Sequence, residues 1–321
     1  MQSKESNLNE TLVVTGGLGF IGKNFLKYID EFYSKIIVID KVSAHSDLSF
    51  YNSISNKKFT LIKSDISETH NYTTDLPENF DLINFAAESH VDRSFINSID
   101  FSLSNYISTH KMLEYLRLKK IKPRIIHIST DEVYGSVVNE STDEEGRFNP
   151  TNPYSVSKAA ADMLCQTYRQ CYGFNMLIVR PNNIYGPYQH AEKLIPAAVL
   201  AASEHSKLKI HGDGEQLRSF LHIDDLSKAL HLLLKQNWSD LKNFTYNISS
   251  SNEYTVNQII GHVANLAGKN IDDFAYYSTD RPFNDLRYNT ISQRIESLGW
   301  SETANFEEKL AEIFKELKVF K

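Results

Sequence analysis

The sequence predicts an α/β fold: a doubly wound parallel sheet of Rossmann type, followed by a smaller, mostly helical lobe. Three observations carry this. Short apolar runs rich in β-branched residues alternate with helical patterns through the first 180 residues, the grammar of repeated βαβ units. The first run, Leu12–Thr15, breaks into Gly16, Gly19 and Gly22, spaced three apart, as the helical pattern Phe20–Phe32 begins. The first glycine permits a tight turn, the second lets backbone N–H groups approach a pyrophosphate, and the third lets helix and strand pack closely. Asp40 closes the second run, Lys35–Asp40, about eighteen residues on, where a carboxylate would bond the ribose hydroxyls of NAD. A bare βα turn needs no such acid, so a dinucleotide site is expected.

The other elements follow in order. Strand patterns recur at Phe59–Ile62, Leu82–Ala86, Arg124–Ser129 and Met176–Val179. Helical patterns cover Phe101–Lys119 and Tyr154–Tyr172, the second opening after Asn152-Pro153, where a first-turn N–H would be unpaired anyway. Beyond Arg180 strands become sparse, and helices are expected at Ile195–Glu204, Asp225–Lys235, Val256–Leu266 and Phe306–Leu317. Phe220–Ile223 and Phe244–Ile248 look like short strands able to return to the main sheet. The expected division is a frayed polar tail at 1–10, a cofactor domain at 11–180 and a substrate lobe at 181–321, interleaved with the first.

At 321 residues the chain can bury a substantial core, and 23% charged residues is ordinary for a soluble globular protein. A net charge of −6 argues against a general nucleic-acid binder but leaves room for a basic pocket that takes a phosphorylated metabolite. Cys165 and Cys171 are too few for a disulfide framework or a zinc site. His90, His127, His190, His211 and His222 match no ligand spacing, so no metal is expected. No apolar stretch approaches the roughly 18 residues of a membrane span, and no charged-then-apolar segment opens the chain. The expectation is a cytoplasmic protein.

Two constellations carry chemistry. Tyr154 and Lys158 stand at i and i+4 on one helix face, where the lysine charge would lower the phenol's pKa and let it act as a base toward an alcohol. Ser129 and Thr130, ending the preceding strand, offer hydroxyls to the same oxygen. Asp131 and Glu132 follow at that strand's C-terminal end, the side on which open α/β sheets bind ligands. Neighbouring carboxyls in different environments can serve as acid and base, the equipment for an elimination.

Seven segments together resemble one family. They are Thr15-Gly-Gly-Leu-Gly-Phe-Ile-Gly22, Ala86-Ala-Glu-Ser-His-Val-Asp-Arg-Ser94, Ser129-Thr-Asp-Glu-Val-Tyr-Gly135, Asn152-Pro-Tyr-Ser-Val-Ser-Lys158, Asn182-Asn-Ile-Tyr-Gly-Pro187, Glu192-Lys-Leu-Ile-Pro196 and Asp280-Arg-Pro-Phe-Asn-Asp285. The chain is similar to the nucleotide-sugar 4,6-dehydratases of the extended short-chain dehydrogenase/reductase superfamily, from residue 11 to about 300. Thr-Asp-Glu before Val-Tyr-Gly is the narrower mark. The resemblance implies Tyr154, Lys158 and Thr130 at the C4 hydroxyl, Glu132 as base at C5, Asp131 as acid for the C6 hydroxyl, and a tightly held NAD regenerated each turnover. It implies cofactor contacts from Phe20, Ile21, Asp40, Lys41, Asp65, Ile66, Ala86, Ala87 and Ser104, beside the glycines, Tyr154 and Lys158. For the nucleoside-diphosphate hexose it implies Ser89, Asn183, Lys193, Leu194, Lys209, His211, Arg218, Asn247 and Arg281.

Phe283-Asn284 stands where bacterial dTDP-glucose enzymes often carry Gly-His and resembles UDP-glucose enzymes of rhamnose pathways, so dTDP-glucose and UDP-glucose both remain open. A 4-epimerase, a decarboxylase and a 5,6-dehydratase on the same scaffold are the alternatives, with a non-catalytic NAD binder as a third class. The apolar faces of Phe101–Leu118 and Tyr154–Tyr172 are core by default; in the family they also form a four-helix interface, which implies a homodimer.

Overall fold

The structure, a computed structural model, describes residues 8–54, 58–72, 76–204, 206–279 and 282–319. Twelve strands can be followed among these: β1 (Thr11–Thr15), β2 (Lys35–Asp40), β3 (Phe59–Lys63), β4 (Asp81–Asn84), β5 (Arg124–Ile128), β6 (Asn175–Pro181), β7 (Asn183–Tyr185), β8 (Leu208–His211), β9 (Leu217–His222), β10 (Thr245–Ile248), β11 (Glu253–Thr255) and β12 (Ala275–Ser278). Seven form one parallel sheet in the order β10-β6-β5-β4-β1-β2-β3. The order reverses beside β1, so the crevice a dinucleotide would use opens between the ends of β1 and β4.

The strands read as unbroken apolar runs because both faces are covered. Leu12, Val14, Ile36 and Val38 feed one core, against helices Phe20–Ile29 and Ile223–Lys235. Val13, Ile37 and Ile39 feed the other, against Ser108–Leu118 and Pro153–Tyr172. A third core joins helices Leu194–Glu204, Val256–Ala267 and Phe306–Val319 over the small sheets β11-β9-β7 and β12-β8.

Several elements differ from expectation. Leu217–His222 does not return to the main sheet; it pairs with β7 and β11, whereas β10 does return, beside β6. The helix expected over Phe101–Lys119 runs as Ser98–Phe101, six residues of π-helix at Ser102–Ile107, then Ser108–Leu118. Phe85 and Ala86 leave β4 to line a cavity instead of extending it. Residues 1–7 of the expected tail lie outside the described residues, but Asn9 is not frayed: its backbone and side-chain nitrogens donate to the buried Asp81 carboxylate at 3.2 and 2.7 Å. Among the described residues no helix is long and apolar enough to cross a membrane.

Candidate active site

The glycine turn is built as the chemistry requires. Gly16 has φ +66, and a Cβ on it would lie 2.8 Å from the Ala86 backbone. At Gly22 a Cβ would lie 2.5 Å from the Gly16 carbonyl, so a side chain there would push helix from strand. Gly19 caps the helix without a side-chain acceptor, leaving first-turn N–H groups for an anion. These glycines, with Phe20 and Ile21, wall a cavity of about 530 Å³. Asp40, Lys41, Asp65, Ile66, Ala86, Ala87 and Ser104 reach the same cavity. Asp40 also shapes the loop after β2, accepting from Leu18 N at 3.0 Å, Val42 N at 2.8 Å and Ser46 Oγ at 2.7 Å. A cradle that excludes side chains, a helix start and an acid at the next strand's end fit NAD.

The turn that carries Asp131 and Glu132 follows β5. Asp131–Tyr134 is a short 3-10 turn capped by Thr130, whose Oγ1 accepts from Glu132 N at 3.3 Å and donates to Asp131 Oδ1 at 3.2 Å. The facing helix Pro153–Tyr172 starts at a capping box, Asn152 with Ser155, which fixes Tyr154 and Lys158 in its first turns. Tyr154 is 8% exposed and hydrogen-bonds Thr130. Lys158 donates to the Ile128 carbonyl at 2.5 Å, and burial brings its pKa down to about 8.

The expected lowering of the Tyr154 pKa is not found. Burial raises it well above the ordinary phenol value, with Glu132 and then Asp131 adding to the rise; only the Thr130 hydrogen bond opposes. The lysine is committed to a carbonyl, and the two carboxyls are the charges that act on the phenol. Those carboxyls are shifted too. Burial pushes Asp131 up to about 7, against the Asn182 hydrogen bond, while Glu132 is raised chiefly by burial and opposed by Asn152 and Arg218. Glu132 lines the cavity; Asp131 sits just behind, with Asn182 Nδ2 donating to it at 2.7 Å.

Four residues of this cluster escaped the sequence reading. Asn182 holds Asp131, and Asn152 Nδ2 donates to Glu132 Oε2 at 3.2 Å. Tyr288 donates to Glu132 at 3.4 Å and to Asp285 at 2.5 Å, with its ring 4.6 Å from the Arg218 guanidinium. All lie inside or just beyond the quoted motifs; chain order alone does not show that they converge.

Ser89, Asn183, Lys193, Leu194, Lys209, His211 and Arg218 line the same cavity, with Lys193 Nζ donating to the Ser89 carbonyl at 2.7 Å. Asn247 does not. It is fully buried, accepting from Tyr134 OH at 2.8 Å, donating to the Ile291 carbonyl at 3.3 Å, and giving its backbone N–H to Glu144 at 2.9 Å. Its place on β10 sets it against Tyr134, Glu144 and Ile291, so it braces the turn that carries Asp131 and Glu132. Arg281 lies outside the described residues.

The fold and this site define a nucleotide-sugar enzyme scaffold. The family model described as GDP-mannose 4,6 dehydratase matches residues 13–313, and the chain belongs to that family, the nucleotide-sugar 4,6-dehydratases of the extended short-chain dehydrogenase/reductase superfamily. A trifunctional UDP-glucose 4,6-dehydratase/UDP-4-keto-6-deoxy-D-glucose 3,5-epimerase/UDP-4-keto-L-rhamnose-reductase of Arabidopsis thaliana is 38% identical over 309 residues, which is 94% of this chain. The chain spans about half of that relative, 46% of its length. The dTDP-D-glucose 4,6-dehydratase of Homo sapiens is 34% identical over 90% of this chain and 84% of its own. Among solved structures, the dTDP-glucose 4,6-dehydratase DesIV of Streptomyces venezuelae, with NAD and TYD bound, superposes with a TM-score of 0.91 at 30% identity, over 96% of this chain and 97% of that one. A UDP-glucose 4-epimerase of Thermotoga maritima, 23% identical with a TM-score of 0.85, shares the fold.

Proposed function

We propose that the chain dehydrates a nucleoside-diphosphate hexose, dTDP-glucose or UDP-glucose, to the 4-keto-6-deoxy sugar nucleotide. One observation carries this: Asp131 and Glu132 lie on one buried turn against Tyr154, both with raised pKa. A simple dehydrogenase needs the tyrosine alone; an elimination needs an acid and a base beside it. The dehydratase relatives and the DesIV structure with its bound NAD support the same reading.

The glycine turn, Asp40 and Lys158 would hold NAD, which would supply reversible hydride transfer to and from the sugar. Tyr154 takes the C4 hydroxyl proton, oriented by Thr130; protonation of Asp131 removes one of the charges that otherwise raise its pKa, while Glu132 stays ionised for the next step. Glu132, on the cavity wall, takes the C5 proton made acidic by the C4 ketone. Asp131 is protonated near neutral pH and supplies the proton for the departing C6 hydroxyl; its nearest hydroxyl on the cavity wall is Thr130. Lys193 and Arg218 are the cations for the diphosphate, and Ser89, Asn183, Leu194, Lys209 and His211 complete the sugar-nucleotide walls.

Incubation of the purified chain with each sugar nucleotide, followed by mass spectrometry, tests the reaction. Loss of one water from either is expected; a product that keeps every hydroxyl would point to an epimerase, and no turnover of either would refute the proposal. Residues 11–180 and 181–321 would then serve cofactor and substrate respectively. Ile96 (80% exposed), Ile99, Leu103, Val156 and Met163 form an exposed apolar face on and beside the helices expected to dimerise. A homodimer through that face is proposed, with sedimentation velocity as its test. The two unpaired cysteines fit a reducing cytoplasm.

A further inference from the structure

Around the cofactor half of the cavity, three segments far apart in sequence are tied into a belt. The first is the loop after β2, which folds back so that Asp47 N donates to the Leu18 carbonyl at 3.0 Å. The second is the stretch Glu88–Arg93, and the third is the loop after β7, Pro187–His190. Lys41 donates to Glu88 at 2.9 Å, and Arg93 donates to the other oxygen of Glu88. The same guanidinium donates to His45 Nε2 at 2.5 Å, which makes His45 an acceptor at that nitrogen. The His45 ring meets His190 edge-on, centroids 4.7 Å apart, and the His190 ring bonds the His45 backbone.

The third segment is anchored from the glycine helix itself. Asn24 Nδ2 donates to the Pro187 carbonyl at 3.0 Å, and Lys27 Nζ to Tyr188 OH at 2.6 Å. Lys27 and Lys23 lie 4.2 and 4.9 Å from the Tyr188 ring, and Lys23 also pairs with Asp47 of the first loop at 3.0 Å. Among the described residues only three non-glycine residues have positive φ; Val42 (55°) and Tyr188 (65°) are two of them, one in each facing loop. Non-glycine residues persist in that region when their surroundings over-determine them, and such sites cluster at ligand clamps and switches.

We propose that this belt is the latch that keeps the cofactor resident. Resting on the reading that the glycine-turn half holds NAD, it assigns His45, His190, Tyr188 and Lys27 a role in cofactor residence that is separate from sugar binding. His45, Glu88, Arg93 and His190 line the cavity together with the glycine turn, and none of His45, His190, Tyr188 and Lys27 is among the residues assigned to the sugar nucleotide. The physical logic is that affinity changes in related complexes fall mostly on the rate of leaving. Parting the belt means losing the His45–His190 contact and the lysine–Tyr188 contacts together.

The test is a pulse–chase on the full chain: load with labelled NAD, add excess unlabelled NAD, and follow retained label by rapid filtration. His45→Ala, Lys27→Ala and Tyr188→Gly are compared with the parent; glycine at 188 tolerates the positive φ and removes only the ring. Each variant is expected to release label about tenfold faster or more, with Tm and the sugar-nucleotide KM unchanged, a pattern a purely structural role would not give. Tight NAD with the same release rate in all four proteins overturns the latch and leaves the proposed function standing. A parent chain that binds no NAD overturns both.

Discussion

Asp131→Asn separates the cost of the catalytic turn from its use. The parent carboxyl is 2% exposed and its pKa rises from 3.8 to about 7, chiefly through burial. A folded-state pKa above the unfolded value means the native state binds more protons across that interval. Stability contributed at low pH is therefore lost as pH rises from near 4 to near 7, and levels off above. One pKa unit corresponds to about 1.4 kcal/mol, so the full shift bounds the effect at about 4 kcal/mol, of which about 2–4 kcal/mol is expected once relaxation is allowed for. Asparagine has no such titration and preserves the contacts: its carbonyl can accept from Asn182, and its amide can donate to Thr130 Oγ1. A chain of 321 residues unfolds with an entropy of about 0.7 kcal/mol/K. The variant should thus melt about 3–6 °C above the parent at pH 8, with the gap narrowing toward pH 5, while dehydration is lost. Calorimetry at the two pH values decides it; a variant no more stable than the parent at pH 8 would show that burial does not penalise this carboxylate.

Glu132→Gln removes the proposed C5 base and should lower kcat by about 10²–10⁴-fold with substrate binding retained, read by product mass and by isothermal titration. Gly22→Ala should abolish NAD binding and lower Tm, since its Cβ would fall 2.5 Å from the Gly16 carbonyl with only backbone to give way; equilibrium dialysis with NAD checks it. Asn247→Ala leaves the Tyr134 hydroxyl without its acceptor and should cost about 1–3 kcal/mol in chemical denaturation while the sugar-nucleotide KM holds. A large KM effect there would restore it to the substrate site.

What the sequence made legible was what local physics dictates. The buried strands announced themselves because Leu12, Val13 and Val14 have no solvent face, and the glycine turn because only glycine fits at Gly16 and Gly22. Tyr154 and Lys158 were visible as an i, i+4 pair, but their pairing energy was not, since that depends on Lys158 choosing the Ile128 carbonyl and on two carboxyls closing in. The Asn182 and Tyr288 contacts lie 51 and 156 residues from their carboxyl partners and carry no periodicity. Asn247 shows another limit: its hydrogen bonds to Tyr134 and Ile291 follow from the register of β10, which a single sequence does not state. The π-helical turns at Ser102–Ile107 were invisible because no glycine or proline marks the change in hydrogen-bond register there.

The return of β10 to the edge of the main sheet has a consequence for recombination. A chimera cut after β6 to exchange sugar preference would take β10 from the donor half and set it against the other parent's β6, whose N–H and C=O row is bare if the two fail to pair. Thr245↔Ile178 through Ile248↔Pro181 would have to re-form across the junction between two parents. Crossover libraries for this scaffold should therefore keep residues 175–181 and 245–248 from one parent, treating two segments far apart in sequence as a single heritable block.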